Sequence, residues 1–481
     1  MARRYAYDAV VVGGGPNGLA AAVRLAQAGQ AVLVVEARET IGGGARSGAL
    51  TLPGFVHDIC SAVHPLGVAS PFLRTLPLER FGLEWLHPDV PLAHPLDTGE
   101  AMLLQRSIAA TAETLGVDAK AYEDLISPFV RDWERIAQAF LGPLRLRPLL
   151  HPVALAPFGL AALQSARLLA RQRFVDERAR ALLAGVCAHS MLPLEQLTSA
   201  AAGLVLATVG HVAGWPLPRG GSQRIVQALA DYLCFLGGEI MTGHEVKTID
   251  ELPTARAYLF DVTPRQLVRI AGHRLSSGYL RSLQRYRYGP GSFKIDYALA
   301  GPVPWTARAC ARAGTVHLGG TFDEIAWGER QVWRGEPPDH PYVLVAQQSL
   351  VDATRAPAGK HTLWAYCHVP NGSTFDMTAR IEAQIERFAP GFRDLILARH
   401  VTDAPGLERY NANYIGGDIN GGVQDIWQLF TRPTLRAVPY ATSASDIFIC
   451  SSSTPPGGGV HGMCGYFAAQ HVLKSRLSSW H

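Results

Sequence analysis

Ala9-Val10-Val11-Val12-Gly13-Gly14-Gly15-Pro16-Asn17-Gly18 is the stretch that decides the fold of this 481-residue chain. Its first four residues form a short apolar run suited to a buried parallel strand. Gly13, Gly15 and Gly18 follow in GxGxxG spacing, and Leu19 to Ala28 reads as a helix of small and aliphatic residues. After Gly29 a second strand, Ala31 to Val35, ends in Glu36. That is a complete βαβ unit, and each part has a physical reason. Gly13 permits the tight turn, Gly15 lets backbone approach a pyrophosphate, and Gly18 lets helix and strand pack closely. The helix N-terminus offers free N–H groups and a positive dipole end. Glu36 stands where a carboxylate accepts from both ribose hydroxyls, which disfavours a 2′-phosphate.

Working outward, two features select FAD among dinucleotides. The unit continues through Glu36-Ala37-Arg38 into Gly42-Gly43-Gly44-Ala45-Arg46-Ser47, a second glycine turn placed to wrap the far side of the same pyrophosphate. Arg46 there is either a pyrophosphate ligand or a surface residue on the loop. No second acid-ended βαβ fingerprint follows: Gly220-Gly221, Gly416-Gly417 and Gly457-Gly458-Gly459 lack the spacing or the strand. A flavin reductase with its own NAD fold would need a second unit, and a disulphide reductase a close cysteine pair.

The bulk numbers suit a large apolar interior with room for an apolar substrate cavity. Hydrophobic residues make up 48% and charged residues 17%, and the net charge is only +4. This suits a large core and gives no support to nucleic-acid binding, which shows as a clustered basic face. The length suits two domains. Cysteines 60, 187, 234, 310, 367, 450 and 464 form no close pair and read as reduced core thiols of a cytoplasmic protein. The apolar run after Arg3-Arg4 is too short for a signal peptide, and no stretch reaches membrane-span length. No HExxH and no third ligand beside His361 and His368 appear, so no metal is expected. No GxSxG appears, so hydrolase chemistry has no support.

The other end of the chain carries a second motif. Asp446-Ile447-Phe448-Ile449-Cys450 reads as a strand, followed by Ser451-Ser452-Ser453-Thr454-Pro455-Pro456-Gly457-Gly458-Gly459-Val460-His461-Gly462-Met463 and a helix of small residues. Together with Val10 to Gly43, this resembles the phytoene desaturase-like branch of the FAD-dependent amine oxidase superfamily. The likeness is greatest to bacterial relatives of pyridine nucleotide-disulphide oxidoreductase domain-containing protein 2. Leu52-Pro53-Gly54-Phe55-Val56-His57-Asp58, Asp261-Val262-Thr263-Pro264-Arg265 and Gly416-Gly417-Asp418-Ile419-Asn420-Gly421-Gly422 support it. The resemblance implies a Rossmann-like α/β FAD-binding domain of the glutathione-reductase/amine-oxidase type, interleaved with a mixed-sheet and helical α+β substrate domain. Residues 1–70, 215–275 and 440–481 would form the first, and 71–214 with 276–439 the second, its helical part at about 105–212. The FAD ligands it implies are Gly13, Gly15, Pro16, Asn17, Gly18, Glu36, Ala37, Gly43, Gly44, Ala45, Arg46, Val246, Ser452, Gly458, Gly459, Val460 and Met463. A helix N-terminus aimed at the flavin would stabilise negative charge on the reduced ring. The three serines and His461 depart from the Gly-Ala-Gly pattern of carotenoid desaturases, which argues against a carotene substrate.

Candidate chemistry follows. His461, near the flavin edge, either exchanges protons or only hydrogen-bonds the cofactor. His64 and His57 follow the second glycine turn and are acid–base or structural histidines. Tyr414 and Asp418 are candidate substrate-facing groups. The leading reading is an FAD-dependent dehydrogenase, desaturase or oxidase of a hydrophobic, lipid- or isoprenoid-like CH–CH group, with oxygen, a quinone or a protein as electron acceptor. A flavin-dependent double-bond isomerase, an amine oxidase and a non-catalytic prenyl- or lipid-binding escort protein are the alternatives. Residues 144–174, an apolar run around Pro157 flanked by Arg145, Arg147, Arg167, Arg171 and Arg173, either line a substrate tunnel or give peripheral membrane contact. The oligomeric state stays open, a dimer included.

Overall fold

The first βαβ unit folds as its residues dictate. In the computed structural model, which describes residues 5–143 and 152–477, Tyr7–Val12 is a strand, Pro16–Ala26 a helix and Val32–Val35 the second strand. The helix starts earlier than the aliphatic pattern indicates, because Pro16 occupies its first turn, where a missing N–H costs nothing. A Cβ on Gly18 would collide with the carbonyl of Gly13, so only glycine lets this helix close onto the turn.

These strands belong to a five-stranded parallel sheet, ordered Ile447–Ile449, Ala255–Phe260, Tyr7–Val12, Val32–Val35, Glu239–Met241. All its strands come from the three ranges 1–70, 215–275 and 440–481. Parallel sheets are covered on both faces. Here the helices Pro16–Ala26, Gln223–Phe235 and Met463–Ser475 cover one face, and a cluster including Tyr258, Leu267, Ile270 and Tyr279 covers the other.

A second, seven-stranded mixed sheet runs Ile396–Thr402, Gly291–Leu299, His361–Val369, Val343–Ala346, Ala313–Leu318, Val90–Pro95, Ala101–Leu104. Phe293, Ile295, Tyr297 and Leu299 face the helix Thr378–Phe388, whose Ile381, Ile385 and Phe388 pack onto them. The opposite face carries Lys294, Asp296, Trp364 and Tyr366 and looks toward a helical layer that includes Pro152–Ala162, Glu177–Ala188 and Ser199–Val212.

Two expectations change. Pro157, which from the sequence interrupts the apolar run and would break a helix there, does not do so: Pro152–Ala162 is one helix with Pro157 inside it, held by the burial of Leu155, Phe158, Ala161 and Ala162. Six cysteines are buried, but Cys234 is exposed. Of the segment 144–174, residues 144–151, with Arg145 and Arg147, lie outside the described residues. No described helix is long and apolar enough to cross a membrane.

Candidate functional site

Both sheets open onto one cavity of about 1080 Å³. Val35 to Arg38 and His244 to Val246 line one end, and the two glycine turns with Ser451–Ser453 and Gly458–His461 line its middle. The far end is formed by the second sheet and by Leu155, Phe158, Leu163, Ala202 and Leu206 of the helical layer.

The first end has the donors and acceptors of a dinucleotide cradle. Among the described residues, the amides of Gly15, Asn17, Gly43, Gly44 and Val246 donate to no other part of the chain. Five backbone donors left open along one cavity wall call for an acceptor-rich ligand. Glu36 is buried, accepts from Gly14 N at 2.8 Å and Arg38 N at 2.9 Å, and pairs with Arg46 Nη2 at 3.1 Å. A carboxylate accepts about four hydrogen bonds, so capacity remains for a ribose hydroxyl. Pro16, Asn17, Ala37 and Ser452 also line the cavity, with Asn17 Nδ2 at 3.4 Å from Ser452 Oγ.

Other expected ligands take different places. Arg46 lines the cavity, but its Nε and Nη2 are engaged by the Thr40 and Ile41 carbonyls and by Glu36. It therefore holds the second turn against the ribose acid. Gly18 gives its amide to Asp261 Oδ2 at 2.8 Å, and Ala45 gives its amide to Gly42 O; neither lines the cavity. Met463 is a correction. Its amide donates to His461 Nδ1 at 3.0 Å and its side chain is in the core.

That bond also redefines His461. Its Nδ1 is an acceptor holding the start of the Met463–Ser475 helix, and burial lowers its pKa to about 4, which backbone interaction with Gly457 and Gly458 only partly offsets. The imidazole caps a helix and braces the loop. His64 differs. Ser222 Oγ donates to Ser61 O at 2.7 Å and so accepts from His64 Nε2, 2.8 Å away. That fixes the proton on Nε2 and leaves Nδ1 as a lone pair on a residue lining the cavity. Burial lowers the His64 pKa to about 4, so the ring is neutral near pH 7. His57 lies under the site, bonded to Thr51 Oγ1 at 2.7 Å and outside the cavity lining.

Tyr414 lines the cavity with its hydroxyl against Gly44, where a Cβ would collide with it. Tyr410 donates to Gly43 O at 2.8 Å. Asp418 is a second correction: wholly buried, it accepts the amides of Gly289, Asn420 and Gly422, each at 2.8 Å, and scaffolds its loop instead of facing substrate.

Several residues escaped the sequence reading. Asp261 ends its strand beside the glycine turn, and burial raises its pKa to about 7, with Glu36 adding to the effect. Lys294 and Asp296 form a buried ion pair beneath Trp364, whose ring centroid lies 5.7 Å from Lys294 Nζ. The alternation of residues 293–299 carried a signal: opposite charges two apart on one face of an apolar strand imply a paired core charge. Trp364, Tyr366, Thr315, Trp215 and His189 line the far end and carry no local motif. Below them, wholly buried Arg355 pairs with Asp58 at 3.0 Å and Asp352 at 2.9 Å, stapling the first sheet's loops to the second sheet's. Among the described residues no group of His, Cys, Asp and Glu could hold a metal.

The architecture defines a mixed α/β protein with a Rossmann-like dinucleotide-binding domain. The sequence model of the family described as NAD(P)-binding Rossmann-like domain matches residues 11–76. The chain is similar to the mouse (Mus musculus) pyridine nucleotide-disulfide oxidoreductase domain-containing protein 2, at 27% identity over 97% of this chain and 93% of that one. It is also similar to one of the limonene dehydrogenase chains of Castellaniella defragrans, at 27% identity over 50% of this chain and 45% of that one. Among solved structures, an oxidoreductase from Methanosarcina mazei has a TM-score of 0.67 at 16% identity, covering 97% of this chain and 99% of that one. Putrescine oxidase bound to putrescine has a TM-score of 0.63 at 18% identity, with the same coverage.

Proposed function

We propose that the chain is an FAD-dependent oxidoreductase that takes a hydride from a carbon of an uncharged, largely apolar substrate, most simply at a CH–CH group. One observation carries the substrate class. Among the described residues lining the cavity, the acidic ones are Glu36, Glu245 and Asp261, all at the dinucleotide end. The far end offers aliphatic and aromatic side chains with a few neutral polar groups, so an ammonium ion there would find no counter-charge. This favours a carbon substrate over an amine. The open amides of the cradle favour a cofactor-holding protein over a flavin-free escort.

When bound, FAD would supply a two-electron acceptor for the hydride, with oxygen, a quinone or a protein as the final acceptor. The chain's part is to bind, orient and keep dry. Glu36 and the Val246 backbone would hold the adenosine half; the amides of Gly15, Asn17, Gly43 and Gly44 would hold the pyrophosphate. The apolar far end excludes water from the reacting carbon. His64 Nδ1 is the atom that would accept the accompanying proton, its tautomer fixed through Ser222. The resemblance to the phytoene desaturase-like branch and the likeness to the Castellaniella limonene dehydrogenase chain support the reading.

The test is anaerobic reduction of the purified holoprotein against alkenes, terpenes, ketones, quinols and amines. Bleaching of the flavin by uncharged compounds and not by amines is expected. Bleaching by amines alone would overturn the substrate class, and rearrangement of an alkene without bleaching would establish isomerisation instead.

A further inference from the structure

The far end of the cavity holds polar atoms that nothing in the chain completes. In the second sheet Thr315 is in register with Ala346 and Ala346 with Trp364. The next row on the same face is His317, Leu344 and Tyr366. Thr315 is 1% exposed and Trp364 is 7% exposed, yet Thr315 Oγ1 and Trp364 Nε1 have no hydrogen-bond partner among the described residues. Both residues line the cavity. They stand two strand spacings apart, about 10 Å, with only the methyl of Ala346 between. An indole nitrogen is a donor and nothing else, and a buried N–H without an acceptor is rare enough to point to a missing partner.

His189 adds a third group from the facing helical layer. It ends the Glu177–Ala188 helix, stands edge-on to Trp215 and lines the cavity. Its Nε2 is 3.1 Å from Nε2 of His317, so one of the two carries the proton. His317 is wholly buried and its Nδ1 has no partner. A proton there would be a buried, orphaned N–H, which is worse tolerated than an unused lone pair. The proton therefore belongs on His317 Nε2, His189 accepts it, and His189 Nδ1 carries an N–H with no acceptor among the described residues. Burial keeps His189 neutral, its pKa lowered to about 3. The nearby charge on Lys294 is already spent on Asp296.

We propose that Trp364 Nε1, Thr315 Oγ1 and His189 Nδ1 form a polar subsite for the carbonyl oxygen of a substrate that is otherwise apolar. Neutral polar groups with no free cation suit an uncharged oxygen better than a carboxylate, and with no acid among them they give an ammonium group no counter-charge. The subsite rests on the oxidoreductase reading and narrows its substrate to a ketone-, enone- or ester-bearing hydrocarbon skeleton. It also gives that skeleton a fixed orientation, the oxygen anchored on the sheet and the remaining carbons free to extend along the apolar wall.

The test titrates the oxidised holoprotein with menthone, menthane and menthylamine, reading the flavin difference spectrum. Menthone should bind about tenfold tighter than menthane, the ratio that one well-made hydrogen bond supports. Thr315→Val, which keeps the shape and removes the hydroxyl, should erase that preference while leaving menthane affinity and FAD content unchanged; Trp364→Phe, which removes the N–H with part of the indole, should lower menthone affinity by more than it lowers menthane affinity. Equal affinity for menthone and menthane, no binding of menthone, or an equal loss for both in the variants overturns the subsite. Tightest binding of menthylamine overturns the substrate class itself, so the two failures are separable.

Discussion

The buried carboxyl of Asp261 accepts the amide of Gly18 at 2.8 Å, placing an acid at the anion-favouring start of the first helix. A Cβ on Gly15 would stand 2.8 Å from the same Oδ2, so this carboxyl borders the place assigned to the pyrophosphate. Burial lifts its pKa from 3.8 to about 7. Below that pH it is a neutral neighbour of a phosphate; above it, a repelling one. FAD affinity of the stripped protein should fall about tenfold between pH 6 and pH 9, and Asp261→Asn should flatten the dependence. Fluorescence titration of FAD checks it. Without ligand, the folded state holds this proton between about pH 4 and 7 while the unfolded chain has released it. The contribution to stability is therefore greatest at low pH and is lost as pH rises through that window.

Glu36 has two duties, and a substitution separates them. Glu36→Leu would strand the buried Arg46 guanidinium and cost roughly 3–5 kcal/mol. Glu36→Gln keeps an acceptor for Gly14 and tests the ribose contact more cleanly. FAD should bind about tenfold more weakly, a loss in the range of a hydrogen bond to a charged group. Equilibrium dialysis reads it, and unchanged affinity would remove Glu36 from the cradle.

Gly44→Ala should disturb the second glycine turn, because the new methyl meets the Tyr414 hydroxyl. Overpacking of this kind costs about 1–3 kcal/mol. Adding Tyr414→Phe to Gly44→Ala should recover part of the loss in a denaturant titration. Additive destabilisation would show that the clash is not the cause.

The two histidines should part company in kinetics. His461→Ala removes a helix-capping acceptor and should cost about 1 kcal/mol of stability, while the pH profile of substrate-driven flavin reduction keeps its shape. His64→Ala should slow that reduction about 100-fold or more, in the range of general-base catalysis. Stopped-flow reduction with any compound that bleaches the flavin decides between them.

Arg355→Met should destabilise the fold by roughly 3–5 kcal/mol by leaving Asp58 and Asp352 buried without their shared cation. Thermal unfolding measures this. A change under about 1 kcal/mol would mean that the network is solvated.

The sequence exposed what is local. The GxGxxG turn, the helix after it, the strand leading into Glu36 and the strand before Ser451 depend on short-range pattern, and the structure has each of them. Met463 was misjudged, and the bond that ties it to His461 went unseen, because a motif shows which residues stand at a turn, while hydrogen bonding decides which way each turns. Asp418 was misread for the same reason: its loop glycines suggested an exposed site, and its carboxylate instead holds three of that loop's neighbouring amides. The far end was illegible because Thr315, Trp364 and His189 meet only through strand register and a helix end, a relationship with no spacing to detect.

The most direct test of the account is the absorption spectrum of the purified protein, followed by denaturation and quantification of released cofactor. It predicts a yellow protein with bands at about 370 and 450 nm that releases FAD close to one per chain. A colourless protein that takes up no FAD after incubation would contradict it.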